Sequence, residues 1–186
     1  MVLDGKMFRR VMSHFASGVT IVTTRCKGKP YGLTVNAFSS VSLEPPLVLV
    51  CIDKRAISHA KIIESGEFAV NILSRDQEDI SDLFARPGLR QKFDNVQYDE
   101  RKTGSPILDG AIGYLECRLK SVYTEGDHSV IVGKVVSLAV GGKADPLVFY
   151  QGRYCNVDLR MATIPQFSDT SETHLLYNYW SESFGW

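Results

Sequence analysis

Apolar residues change their period several times along the chain, and each change marks an element. Met7, Phe8, Val11, Met12 and Phe15 recur every three or four positions, which predicts an amphipathic helix ended by Gly18. Residues 19–24 are rich in β-branched side chains and residues 27–30 have turn chemistry. Residues 31–42 then alternate Leu33, Val35 and Ala37 with Thr34 and Asn36, as a second strand would. Pro45 and Pro46 interrupt the chain before residues 47–52, an apolar run suited to a strand covered on both faces.

A short helix is expected over residues 57–65, stopped by Gly66, and residues 68–73 alternate again. Ser74 with Gln77 three positions on forms a capping box. Asp76, Glu78 and Asp79 suit the positive end of the helix it opens, and Ile80, Leu83 and Phe84 form its apolar stripe. Residues 86–110 are polar and turn-rich, which predicts a long surface excursion. Two long strands follow, the first with Leu115, Cys117 and Leu119 inward and Glu116, Arg118 and Lys120 outward. The second runs over residues 129–140, joined to the first by a tight turn at residues 125–128. Residues 147–150 and 153–157 read as final short strands around Gly152. Strands dominate without strand–helix alternation, so the expected fold is mainly β, an antiparallel barrel closed by its own strands with peripheral helices.

The length of 186 residues suits one domain with an appendage. Lysine plus arginine number 21 and aspartate plus glutamate 21, a balance that speaks against nucleic acid and anionic membranes as partners. The apolar run at residues 47–52 is far short of a membrane span, and Asp4, Lys6, Arg9 and Arg10 leave no signal-peptide core at the start. Cys26, Cys51, Cys117 and Cys155 are widely spread, as expected of buried or half-buried thiols in a reducing, cytoplasmic compartment. Glycine-rich nucleotide loops, zinc-protease helices and nucleophile elbows are all missing, and no metal site is expected. Demanding chemistry would therefore need a borrowed cofactor.

The most unusual segment is residues 32–47. A strand with Thr34, Asn36 and Ser40 on one face and the small Ala37 between them offers donors and acceptors beside room for a flat ligand. The plain alternative is a solvated edge-strand face.

Six segments in order shift this reading: residues 16–24 (ASGVTIVTT), residues 32–47, residues 67–73 (EFAVNIL), residues 126–128 (GDH), residues 146–150 (PLVFY) and residues 152–154 (GRY). Together they make residues 5–157 resemble the flavin reductase family, the short-chain NAD(P)H:flavin oxidoreductases with the FMN-binding split-barrel fold. Its members typically serve as the reductase component of two-component flavin-dependent monooxygenases. The resemblance implies a homodimer, FMN or FAD in a groove between subunits, NADH or NADPH as cosubstrate, and a partner oxygenase. By position, Thr34, Val35, Asn36 and Ala37 would line the flavin ring, Ser39 and Ser40 would lie near the ribityl chain or ring edge, and Cys51, Ile52 and Asp53 would follow on the next strand. Ser58 would bind the phosphate at a helix start, assisted by His59 and Lys61 unless these are simply solvent-exposed. Ala60 stands where the family usually has threonine, which leaves FMN and FAD both open. Lys92 and Phe93 match a basic–aromatic pair at the flavin, and Arg153 and Tyr154 are candidate contacts of the nucleotide. His128 is the expected catalytic-side residue at the nicotinamide, with Asp127 either orienting it or satisfying the turn.

The same fold also serves non-enzymatic FMN electron carriers, and a flavin-free binding module is the third reading. Residues 159–186 extend beyond the expected domain at residues 1–158 and hold Tyr177, Tyr179, Trp180, Phe184 and Trp186. Packing of these aromatics on the barrel or across a dimer is expected, the alternative being a lid over the ligand pocket.

Overall fold

The computed structural model describes residues 3–89, 91–142 and 145–157. Helix α1 (Gly5–Met12) leads through β1 (Ser17–Gly18) into β2 (Thr20–Cys26), β3 (Lys29–Val35), β4 (Phe38–Leu43) and β5 (Pro46–Asp53). Helix α2 (Ile57–Ser65), strand β6 (Glu67–Ile72) and helix α3 (Glu78–Ala85) follow, then the short pair β7 (Tyr98–Glu100) and β8 (Pro106–Leu108). The long β9 (Gly113–Glu125) and β10 (His128–Val140) precede a last hairpin of β11 (Val148–Tyr150) and β12 (Arg153–Cys155). The extension at residues 159–186 lies outside the described residues.

Seven strands form one antiparallel sheet in the order β3-β2-β6-β9-β10-β5-β4. The architecture is mainly β, as the alternation predicts, but the ladder does not close. β3 and β4 are consecutive in the chain and form the two unpaired edges of the sheet. Residues 31–42 are therefore two strands, because Asn36 and Ala37 carry the chain from one edge to the other. Cys51 N–H donates to Ala37 O at 2.9 Å, which seats the crossing segment beside β5.

Both faces of β2 are buried, and the alternation of its side chains separates two cores. Val22 joins Val50, Ile52, Phe68, Val70 and Ile131 inside the curl of the sheet, with Ile62 of α2 packed among them. Ile21 faces the other way, into a cluster with Val19, Leu73, Phe84, Val96 and Leu147. At roughly 1.5–3 kcal/mol per fully buried aliphatic or aromatic side chain, these clusters fix the sheet against α2 and α3.

Elsewhere local signals hold and long-range ones shift. Helix α2 ends at Gly66 in the left-handed region, and Ser74 N–H donates to Gln77 Oε1 at 3.0 Å as the capping box requires. A 3-10 turn over residues 75–77 precedes α3 there. Helix α1 stops at Met12, short of Gly18, and its apolar stripe is exposed: Phe8 and Val11 are each 62% accessible. The stretch 86–110 contains the β7–β8 hairpin, and Val96, Ile107 and Leu108 within it are buried. Glu116, expected to face solvent, is fully buried, because the loop after β7 covers that face of β9. Its Oε1 accepts from the Thr103 N–H at 2.7 Å and from the Thr103 hydroxyl at 2.9 Å. All four cysteines are free, with Cys26 and Cys117 buried and Cys51 and Cys155 partly so. Among the described residues, no helix is long and apolar enough to cross a membrane.

Candidate active site

A cavity of about 580 Å³ opens between β3, the β5–α2 junction and the loop after α3. Its apolar wall is Leu33 of β3 with Phe84 and Phe93. The two phenylalanine rings meet edge to face at 4.9 Å between centroids, and Phe93 meets Tyr98 likewise at 5.4 Å. Gly32 makes this wall possible, since a Cβ there would lie 2.7 Å from Phe84 Cε1. Thr34 also lines the cavity, but its hydroxyl is committed, donating to Ser81 O of α3 at 2.6 Å.

Cations line the cavity too, from the β5–α2 junction and from the loop after α3. Arg55, Arg86 and Lys92 line the cavity, and among the described residues Asp53 is the only acid that does so. Arg55 grips Asp53 in a charge-assisted pair, Nη2 to Oδ2 at 2.7 Å, which holds the carboxyl well below the usual carboxylate range. Lys92 Nζ donates to Phe84 O at 2.6 Å, and its partial burial lowers the ammonium below its ordinary value. Ile57 and Ser58 bring the free N–H groups of the first turn of α2 to the cavity, with no acidic residue in that turn. Ser58 is buried, and among the described residues its hydroxyl bonds to no protein group. An apolar slot beside cations and a helix start is a donor set that fits a flat aromatic ligand carrying a phosphate.

Of the residues singled out in the sequence, Thr34, Asp53, Ser58, Lys92 and Phe93 meet at this cavity. Val35 and Ile52 instead have their side chains in the inner core. Asn36, Ala37 and Ser39 are exposed at and after the strand crossing. Ser40 Oγ is enclosed with no hydrogen-bond partner among the described residues, and the Cys51 thiol is half-buried and pushed up by burial. His59 turns away from the cavity towards Ser129. Lys61 lies in an adjoining depression of about 470 Å³, over the Tyr31 ring and paired with Glu64 at 2.6 Å. Tyr154 is a buttress, its hydroxyl 2.9 Å from Ser81 Oγ and 2.8 Å from Asp82 Oδ1, and Arg153 is exposed. Arg55 and Arg86 escape a reading of the sequence because charged loop residues look solvated. The signal was the Lys54–Arg55 pair placed just before a helix start.

His128 opens β10 directly opposite Asp53; Asp53 lines the cavity, and His128 is outside its lining. The turn before it is tight, with Gly126 at φ 57°, and Asp127 Oδ1 accepts from His128 Nδ1 at 2.7 Å. That bond lowers the Asp127 carboxyl, and among the described residues the histidine's Nε2 bonds to no protein group.

Residues 12–158 match the family described as flavin reductase like domain. The chain belongs to the flavin reductase family. It is 42% identical over 158 residues to the reductase subunit HsaB of a flavin-dependent monooxygenase from Rhodococcus jostii, covering 84% of this chain and 80% of that one. It is 44% identical over 154 residues to an NADH-dependent flavin reductase from a Rhodococcus species, covering 81% and 85%. Among solved structures it is similar to nitrilotriacetate monooxygenase component B from Mycobacterium thermoresistibile, with a TM-score of 0.82 and 38% identity over 88% of this chain and 92% of that one. The Streptomyces globisporus NADH:FAD oxidoreductase, solved with NAD and FAD fragments, gives a TM-score of 0.80 and 34% identity, covering 87% and 99%. In this flavin reductase family member Ser58 stands in the first turn of α2, with Ala60 two residues on.

Proposed function

We propose that this protein is an NAD(P)H-dependent flavin reductase that supplies reduced FMN or FAD to a partner oxygenase. The observation that carries the reading is the cavity itself, which brings together an aromatic wall, three cations and the start of α2. A bound flavin supplies an acceptor at N5 for the hydride of a reduced nicotinamide. The chain's own part is binding and orientation. Ser58 and the first N–H groups of α2 hold the phosphate, and Arg55 and Lys92 neutralise it. Leu33 and Phe93 exclude water from one side of the slot. His128, held by Asp127, meets the nucleotide and acts on the nicotinamide side.

The reading extends to assembly. The exposed stripe of α1, with Phe15 just after it, supports a homodimer, because the described residues leave these five large apolar side chains uncovered. Residues 1–158 form the reductase domain and residues 159–186 an extension. Four free thiols suit a cytoplasmic location.

Anaerobic mixing with FMN or FAD and excess NADH or NADPH tests the activity. Catalytic bleaching of the flavin absorbance is the expected outcome. Tight flavin binding without oxidation of the nicotinamide would make the protein an electron carrier instead. Absence of flavin binding would leave only a scaffold role.

A further inference from the structure

Ser58 and His59 are neighbours on the first turn of α2, yet they serve opposite sides. Ser58 lines the cavity, whereas His59 Nε2 lies 2.9 Å from Ser129 Oγ. Ser129 is 1% exposed, and its hydroxyl bonds to no other group among the described residues. It is also the residue after His128, one position further from the hairpin tip on β10. Burial, with Lys54 nearby, lowers His59 below the ordinary imidazole value, so the neutral ring faces the hydroxyl.

His128 has few holds of its own. Its side chain is 46% exposed and touches Asp127, itself 80% exposed. The orientation of the imidazole therefore depends on the backbone of residues 126–129. Lys54 grips that tip on one side, its N–H donating to Asp127 O at 3.1 Å and its Nζ to Gly126 O at 2.5 Å. The ladders to β5 and β9 pair the backbone of residues 128 and 129 on both sides, and the His59–Ser129 bond is the side-chain hold that ties them to α2.

We propose that His59 is a positioning residue for the nicotinamide side of the reaction, locking Ser129, and through it His128, to the helix that carries Ser58. The proposal rests on the assignment of His128 to the nucleotide. Its physical basis is the cost of a stranded hydroxyl: with His59 gone, buried Ser129 must rotate or draw in water, and the strand end moves with it. With both partners gone there is nothing to strand, so the two losses do not add.

Steady-state kinetics of the full-length protein with NADH and FMN decide the matter. His59→Ala and Ser129→Ala should each raise the KM for NADH about five- to tenfold, the range expected for one lost buried hydrogen bond. The KM for FMN should stay within about twofold, and the double variant should match His59→Ala rather than multiply the two effects. His59→Gln, whose amide also donates and accepts, should recover most of the loss. A rise in the KM for FMN alone would make His59 a phosphate ligand and overturn the proposal, as would multiplying effects or unchanged kinetics. If His59→Ala does not fold, Ser129→Ala, which removes a single oxygen, carries the same test. His128→Ala separates the two levels of argument. If it leaves the KM for NADH unchanged, the assignment of His128 fails and the positioning role falls with it. If it raises that KM while the His59 and Ser129 variants do not, only the positioning role fails.

Discussion

Gly32 and Phe84 are in contact so close that a methyl group on the glycine would lie 2.7 Å from the ring carbon Cε1. Strand β3 thus presses its bare backbone against the aromatic wall of the cavity. Because Phe84 is 1% exposed and meets Phe93 edge to face, the ring cannot retreat without moving its neighbour. Gly32→Ala should therefore destabilise the fold by about 1–3 kcal/mol, the usual range for overpacking. It should also raise the KM for flavin several-fold, since both displaced rings line the cavity. Thermal denaturation and flavin titration measure the two effects. A destabilised variant with an unaltered flavin KM would mean that this wall does not touch the ligand.

Ser58 offers a sharper test of where the phosphate goes. Its hydroxyl faces the cavity at the start of α2. Ser58→Ala should weaken FMN about tenfold, the scale of a hydrogen bond to a charged group, and leave riboflavin unchanged. Equal losses for the two flavins would place the phosphate elsewhere and make Ser58 a contact of the ring or ribityl chain.

The features legible in the sequence are those set within a few residues. Gly66 ends α2, Gln77 closes the capping box and Gly126 makes the hairpin, each through a bond or a dihedral that spans four positions or fewer. The split at Asn36 was invisible because alternation continues across it; only the change of partner from β2 to β5 marks two strands. Glu116 read as exposed because its partner, Thr103, lies in a loop that the pattern cannot fold back over β9. For the candidate site, the resemblance points to Ser58, Asp53, Lys92 and Phe93, which line one cavity, whereas Arg55 and Arg86 emerge only from the assembled cavity. The even charge balance hides their clustering, since a sum over the chain carries no position.

Protonation should expose His59 in a second, thermodynamic way. Its folded value is lowered by burial first and by Lys54 next, against a smaller opposing pull from Asp53. A histidine lowered in the folded state binds its proton more readily when unfolded. Its contribution to stability is therefore intact above the unfolded value of about 6.5 and falls as the pH drops below it. His59→Gln removes this titration. The variant should melt below the wild type at pH 8, and the gap should narrow between pH 7 and pH 5. A gap that stays constant across this window would show that the imidazole titrates as it does in the unfolded chain.

The face of α1 sets the last expectation. Met7, Phe8, Val11, Met12 and Phe15 are each more than half exposed, although the helix is properly capped by Asp4, whose carboxylate accepts from the Lys6 N–H at 2.9 Å. The C-terminal end of the helix is fixed to the β11–β12 turn through the bond from Gln151 N–H to Ser13 O at 2.9 Å, so the stripe is held in place rather than free to fold inward. In the proposed homodimer this helix, pinned at its base, presents its apolar side to a second copy, and each side chain covered there would contribute roughly 1.5–3 kcal/mol. Phe8→Glu combined with Val11→Glu replaces two exposed residues, so a single chain should keep its fold and its circular dichroism. Burying those carboxylates in an interface without partners is costly, so the sedimentation profile should move from dimer to monomer. A double variant that still sediments as a dimer would put the subunit contact on another surface.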